Sequence, residues 1–184
     1  MVTRPIHELK SDDGQVTYTP PDHCSTPAYS INYRPGNGVS MRLLNDQGGD
    51  FYATIYLDLK VNTHFAFTSS TVKVRTVNGT QSMDTVLTNF SYTERPSGKN
   101  LQVLPTNGIS GPAPNTPFTY PSPYYATSYA TEYSFITSFI AQTHGVNRFT
   151  IQLPDAVVNG QAVTFAPIIV ARKELSYYHS ACLR

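Results

Sequence analysis

The sequence predicts an all-β fold, an antiparallel β-sandwich, and three of its features favour that class. In the segment 51–61 every odd-numbered residue is apolar, whereas the even-numbered ones are Tyr, Thr, Tyr, Asp and Lys. A period of two is typical of an extended strand with one buried face. Turn-forming clusters of Gly, Pro, Asn and Asp recur between short apolar runs. Only 14% of the 184 residues are charged, and the abundant Thr and Tyr favour strands over helices.

Short runs of alternating apolar residues predict the remaining strands along the chain. Most runs end at a polar turn cluster, such as the Arg-Pro-Gly-Asn-Gly sequence at 34–38. The strand at 51–61 is predicted to be central, flanked by the strands at 39–44 and 71–77. The predicted strands are 15–19, 28–33, 39–44, 51–61, 65–67, 71–77, 81–92, 101–104, 131–143, 148–153, 163–165 and 168–171.

Two of the Asn-Gly dipeptides in the chain, Asn78-Gly79 and Asn159-Gly160, predict tight turns. Both central residues of a type I′ hairpin turn need a positive φ, which Asn and Gly adopt most readily. The first dipeptide therefore predicts that a strand over 81–92 returns beside the strand at 71–77.

The segment 131–143 fits two kinds of secondary structure. Its residues Phe135, Ile136, Phe139 and Ile140 would share one face of a helix, and Gly145 would suit the C-terminal cap. Its Thr, Ser and aromatic residues favour a strand instead. We therefore expect a strand that is buried on both faces.

The chain length predicts a single domain, here residues 16–175. The polar residues 1–15 are expected to form a flexible N-terminal arm, and residues 176–184 a C-terminal tail. Residues 105–130 are rich in Pro and Tyr. Because proline cannot donate to a sheet ladder, this segment is predicted to be a long insertion outside the central strands.

Four tyrosines of this insertion are the predicted binding residues. Tyrosine offers a large and stiff contact surface at low entropic cost, and proline orders a loop before it binds. The same tyrosines could instead pack the insertion onto the sheet or face a sister subunit. They are Tyr120, Tyr124, Tyr125 and Tyr129.

Charge and hydropathy exclude several classes of function. The net charge is +1 and no basic cluster occurs, which argues against a nucleic-acid partner. No apolar run approaches the ~20 residues of a membrane span, and residues 1–6 lack the apolar region of a signal peptide. Low charge with abundant Ser, Thr, Asn and Tyr is typical of secreted, envelope and virion proteins, so we expect an extracytoplasmic location.

The two cysteines, Cys24 and Cys182, lie near opposite ends of the chain. They could be free thiols, or a disulfide in an oxidising compartment. With His23 and His179 they also form a set of zinc-ligand types. Adjacent ligands in an extended chain point in different directions, so we expect no bound metal and no cofactor.

Catalytic motifs are not evident in the sequence. Asp58 with Asp84 or Glu132 could supply the two carboxylates of a glycosidase, but no spacing brings them together. Asp46 and Asp50 flank two glycines without completing a calcium-binding loop. We interpret these carboxylates as surface or turn residues, and we expect the chain not to be an enzyme.

One part of the sequence resembles a known family. The segment from Ile55 to Asn78-Gly79, with Asn62 and Phe67 between its two strands, looks like immunoglobulin-type sandwich domains of bacterial envelope proteins. The residues 149–154, Asn159-Gly160 and the Phe-Ala-Pro at 165–167 are similar to the closing strands of such domains. The resemblance implies an immunoglobulin-like sandwich, with a jelly-roll-like one as the alternative. The chain departs from the family in lacking a lipoprotein cysteine and in carrying the insertion.

These observations predict a non-enzymatic interaction module. Its function would be adhesion, ligand or glycan recognition, or assembly with a protein partner. The alternative is a structural subunit of a viral capsid, coat or surface appendage, which would form homo-oligomers. A hydrolase with an unrecognised site is the third hypothesis. Oligomeric state separates the first two hypotheses.

Overall fold

The structure, a computed structural model, describes residues 1–22, 26–46, 49–93, 100–118, 128–129 and 131–178. These residues form strands, one short 3₁₀ helix (Pro105–Asn107) and no α-helix. The strands are β1 (Val2–Lys10), β2 (Gln15–Thr19), β3 (Ala28–Gly36), β4 (Val39–Asp46), β5 (Phe51–Lys60), β6 (His64–Phe67), β7 (Thr71–Thr76), β8 (Thr85–Val86), β9 (Phe90–Thr93), β10 (Asn100–Val103), β11 (Ile109–Ser110), β12 (Pro117–Phe118), β13 (Ser128–Tyr129), β14 (Glu132–Ala141), β15 (Arg148–Gln152), β16 (Ala156–Val158), β17 (Gln161–Val163) and β18 (Ile168–Tyr177).

The strands pair antiparallel in several sheets, so the predicted all-β class is confirmed. A seven-stranded sheet has the order β10-β9-β14-β5-β4-β3-β2, and a five-stranded sheet has the order β1-β18-β15-β7-β8. Smaller sheets are β11-β6-β16-β17 and β12-β13. One apolar core joins the two large sheets, and within it the rings of Phe51 and Phe149 lie 5.7 Å apart. This arrangement is consistent with the predicted sandwich.

Strand β5 is the central strand that its alternation predicts. Its odd-numbered residues, Phe51 to Leu59, are completely buried, and the even-numbered ones up to Asp58 are half-buried. The predicted neighbour at 39–44 is confirmed as β4. The other neighbour is β14 and not β7, which lies in the five-stranded sheet. A period of two shows which face of a strand is buried and does not specify its partner.

The segment 131–143 is a strand, as favoured, but it is not buried on both faces. In β14 the side chains of Phe135, Thr137 and Phe139 are buried, whereas Ile136 is 38% and Ile140 is 53% exposed. Pairs of adjacent apolar residues four positions apart fit a helix face and a strand equally well, which explains the ambiguity of the sequence.

Only one of the two Asn-Gly turns has the expected geometry. Asn159 and Gly160 have φ values of 50° and 82°, as a type I′ turn between β16 and β17 requires. Asn78 has no positive φ; its side chain instead accepts hydrogen bonds from the hydroxyls of Thr76 and Thr80. The return strand predicted over 81–92 is also interrupted. It pairs briefly with β7 through β8, and the chain then enters the seven-stranded sheet as β9.

The N-terminal residues differ from the flexible arm that their polarity predicts. Strand β1 pairs along its whole length with β18, from Val2 opposite Tyr177 to Lys10 opposite Ile169. Burial of Ile6 and Leu9 accounts for this pairing.

The C-terminal boundary and the insertion also bear on the predicted division of the chain. Strand β18 continues to Tyr177, beyond the predicted boundary at 175, and residues 179–184 lie outside the described part. The described residues of the insertion form the 3₁₀ helix and the short strands β11 to β13.

His7 is a buried titratable group in the core. Its side chain is 2% exposed, and its ring lies 5.3 Å from the ring of Phe51 and 6.1 Å from that of Phe149. Its Nδ1 has no hydrogen-bond partner among the described residues. Burial, and secondarily the positive charge of Arg172, lowers the pKa of His7 to about 4.

We expect the protein to lose stability as the pH falls through this pKa. Because His7 is neutral in the folded state but protonates near its ordinary pKa when unfolded, its contribution is complete above pH 6.5 and declines toward pH 4. From pH 7.5 to pH 5 it should lower the free energy of unfolding by about 2 kcal/mol. Urea denaturation of wild type and His7→Leu at several pH values measures this. An equally steep pH dependence in His7→Leu would contradict the assignment.

Candidate functional site

The outer face of the seven-stranded sheet is the side turned away from the core, formed by even-numbered residues of β4, β5 and β14. Strand register aligns these residues into rows across the sheet. One row places Ile136 beside Tyr56 and Tyr56 beside Arg42, and a second places Ile140 beside Tyr52. We call Arg42, Tyr52, Tyr56, Ile136 and Ile140 the outer-face patch.

Apolar exposure distinguishes the outer-face patch. Ile136 and Ile140 are exposed on the outer face of β14, where the other outward residues, Glu132, Ser134 and Ser138, are polar. The guanidinium of Arg42 lies 5.0 Å from the centre of the Tyr56 ring, which is cation–π geometry. No carboxylate in the described part of the chain forms an ion pair with Arg42. The patch therefore combines aromatic and apolar surface with one cation that lacks a counter-ion there.

A polar cleft adjoins the outer-face patch at the end of the β3–β4 hairpin. This cleft is open on one side and has a volume of about 440 Å³; we call it the rim cleft. The residues that line it come from the hairpin and from the paired ends of β5 and β14: Arg34, Gly36, Asn37, Gly38, Val39, Ser40, Asp58, Lys60 and Glu132.

The local backbone explains the shape of the rim cleft. The register of β3 and β4 shifts between Tyr33 and Gly36, which indicates a β-bulge at Arg34 and Pro35. A bulge bends its strand, and Arg34 beside it lines the cleft. At the turn Gly38 has a φ of 79°, and its carbonyl accepts a hydrogen bond of 2.9 Å from the amide of Lys60. The hairpin tip is thereby tied to the end of β5.

The rim cleft brings together two of the three carboxylates that the sequence offered for a glycosidase. Asp58 lies opposite Ser134, whose hydroxyl donates a hydrogen bond of 2.6 Å to it, and Glu132 lies opposite Lys60 on the neighbouring strand. Asp84 is elsewhere, in an ion pair with Arg75 of the five-stranded sheet. The hydrogen bond from Arg75 holds the pKa of Asp84 below its usual value.

The predicted binding tyrosines are not brought to this site by any described contact. Tyr120, Tyr124 and Tyr125 lie outside the described residues. Tyr129 is described only by its backbone, which pairs with Pro117 in the sheet of β12 and β13. These four residues stay a prediction.

The predicted cysteine and zinc-ligand positions, Cys24, Cys182, His23 and His179, also lie outside the described residues. Within the described ranges no three His, Cys, Asp or Glu side chains group closely enough to hold a metal ion.

Asp50, one of the two carboxylates considered for calcium, has a structural contact. It accepts a hydrogen bond of 2.9 Å from the amide of His144, so it joins the start of β5 to the turn after β14. No helix in the described part is long and apolar enough to span a membrane.

Sequence reasoning missed the outer-face patch because it assigned β14 to the interior. A strand alternation that places Phe135, Thr137 and Phe139 inward would have placed Ile136 and Ile140 outward. The sequence therefore contained the alternation of β14, but in each adjacent pair, Phe135 with Ile136 and Phe139 with Ile140, it did not show which residue faces the core.

Comparison with known proteins adds no information on function. No family model, curated protein or solved structure matches this chain. The resemblance to immunoglobulin-type domains of envelope proteins therefore stays a prediction, and the function must be argued from the surface itself.

We expect a measurable coupling between Arg42 and Tyr56. A double-mutant cycle with Arg42→Met and Tyr56→Leu should give a coupling of about 0.5–1 kcal/mol in the free energy of unfolding, because an exposed guanidinium over an aromatic ring that solvent still reaches contributes that much. The control cycle of Arg42→Met with Ile140→Ser joins residues that are not neighbours and should give a value near zero. Equal couplings in both cycles would contradict the contact.

Proposed function

We propose that this chain is a non-enzymatic β-sandwich module that binds a protein partner through the outer-face patch. The observation that carries the proposal is the exposure of Ile136 and Ile140 beside Tyr52 and Tyr56, on a strand that pairs along its whole length with β5. Neighbouring apolar and aromatic side chains on the surface of a sheet are typical of an interaction site, whereas single scattered apolar residues are not.

The distribution of residue types supports a protein as the partner. Protein interfaces have centres rich in Tyr and Arg and poor in Lys, Glu and Asp, which are commoner at the polar rim. The outer-face patch contains Tyr52, Tyr56 and Arg42, while Asp58, Lys60 and Glu132 lie together at one end of the same face. This is the arrangement of an apolar centre with a charged margin.

Arg42 indicates the chemistry of the partner surface. Its side chain is exposed and its head is held over Tyr56, so little conformational freedom is lost when it binds. Since no carboxylate of the described residues pairs with it, the partner would present one there. We therefore infer a partner surface in which apolar side chains, facing Ile136 and Ile140, surround a carboxylate that faces Arg42.

Site-specific photo-cross-linking tests the proposal. A benzophenone amino acid at Ile140, which is 53% exposed, should form a cross-linked adduct of defined mass in the cells that naturally make the protein. The control position is Val77, an apolar β-branched residue of similar exposure, 57%, beside the turn after β7. The Ile140 adduct should disappear when Arg42→Glu is added, because the substitution places like charges together.

The proposal fails if Val77 gives the same adduct as Ile140, if Ile140 gives none, or if Arg42→Glu leaves the adduct unchanged. An adduct of twice the mass of the chain would identify a second copy as the occupant.

A second candidate function, a self-associating structural subunit, is favoured by the edge strand β2. No described strand pairs with its outer edge. Its sequence, Gln-Val-Thr-Tyr-Thr, contains neither charge nor proline, the usual protections of an edge. The edge strand β1, in contrast, carries Arg4, Pro5 and Lys10. An unprotected edge can add a strand from another chain.

Light scattering tests this candidate with a matched pair of variants. If copies join through β2, the wild type should be oligomeric and Thr17→Lys should shift it to the monomer mass, because a charge on the edge disfavours strand addition. The control, Thr71→Lys, changes an exposed threonine in β7, an inner strand of the five-stranded sheet, and should stay oligomeric. A wild type that is monomeric at high concentration would refute the structural subunit.

A further inference from the structure

We infer that the rim cleft is a second binding site, which takes a neutral polyhydroxylated ligand such as a segment of an oligosaccharide. This site is distinct from the outer-face patch, and the inference does not depend on the proposed protein partner. The inference rests on three features of the cleft: its shape, its balance of positive and negative side chains, and the hydrogen bond that holds Asp58 in place.

The shape of the cleft suits a small ligand. Its volume of about 440 Å³ falls within the range of about 300–1,000 Å³ of ligand sites. It is built by paired strands and by a hairpin tip that is tied to β5, so its walls are present before a ligand arrives. Gly36 contributes to this packing, since a Cβ there would lie 2.7 Å from the side chain of Val158.

The charges of the cleft balance. Arg34 and Lys60 can only donate hydrogen bonds, and the ionised Asp58 and Glu132 can only accept them. Neighbouring hydroxyls of a saccharide each donate one hydrogen bond and accept others, so they match a lining that contains both donors and acceptors. Asn37 and Ser40 add groups that do both.

The same balance argues against other ligand classes. A phosphate or a nucleic acid would face Asp58 and Glu132 as like charges. A divalent cation would find two carboxylates flanked by the ammonium of Lys60 and the guanidinium of Arg34, and calcium requires six to eight oxygen ligands. A purely apolar ligand would remove water from these four charged groups and offer them no hydrogen bond in return.

Asp58 is the residue most strongly positioned for recognition. One of its oxygens accepts the hydroxyl of Ser134 at 2.6 Å, which holds the carboxylate in place and leaves the other oxygen for a ligand hydroxyl. Tyr56 lies two residues earlier on the same face of β5, so a ligand that extends out of the cleft meets an aromatic side chain there.

A glycan array followed by NMR titration tests this inference. The wild type should bind at least one neutral oligosaccharide of the array, and titration with that oligosaccharide should shift the backbone amides of Ser40, Asp58 and Lys60. Asp58→Asn should weaken the affinity at least tenfold. The control Asp155→Asn changes an exposed carboxylate outside the cleft and should leave the affinity unchanged.

Three results would overturn the inference: no binding to any neutral glycan, shifts confined to other parts of the chain, or equal losses in both variants. Cleavage of the bound oligosaccharide would also overturn it, because Asp58 and Glu132 would then serve in catalysis. A circular dichroism melt of each variant excludes unfolding as the cause of a loss. Ile140→Lys, which should abolish protein binding, should leave oligosaccharide binding intact, so the two proposals fail separately.

Discussion

The pairing of β5 with β14 on one side and with β4 on the other is the constraint on which the remaining structure depends. Its register runs from Lys60 opposite Glu132 to Phe51 opposite Ala141. Because side chains alternate between the faces of a strand, a slip of one residue would turn the buried set of β5 toward solvent. The apolar core therefore fixes the register, and the register in turn fixes what the outer face presents. The outer-face patch and the rim cleft are both consequences of it.

Phe51 connects this constraint to the other sheet. Its ring lies 6.1 Å from that of Phe139 within the seven-stranded sheet, and 5.7 Å from that of Phe149 in the five-stranded sheet. The ring of His7 from β1 packs against the same two residues, Phe51 and Phe149. The N-terminal strand is thus held by the aromatic centre of the core as well as by its pairing with β18. The polar composition of residues 1–15 predicted a flexible arm, and it gave no indication that His7 is buried in the core.

Local patterns in the sequence predicted local structure, and long-range contacts explain what they missed. The alternation of β5 and the positive φ values at Asn159 and Gly160 depend on neighbouring residues only, and both were predicted correctly. The partner of β5 could not be predicted in the same way, because Lys60 and Glu132 meet across a separation that no local period encodes. The rim cleft depends on that same contact. The sequence analysis considered Asp58 and Glu132 as a pair, but no spacing in the sequence brings them together. The pairing of β5 with β14 places both of them in one cleft.

The nearness of the two proposed sites has a consequence for the kind of partner. Tyr56 of the outer-face patch and Asp58 of the rim cleft are two residues apart on one strand, a distance of about 7 Å. A standard protein interface covers about 800 Å² on each partner. A protein centred on the outer-face patch would therefore reach the cleft, and a free saccharide there would lie at its margin. A saccharide attached to a protein partner would therefore contact both proposed sites at once.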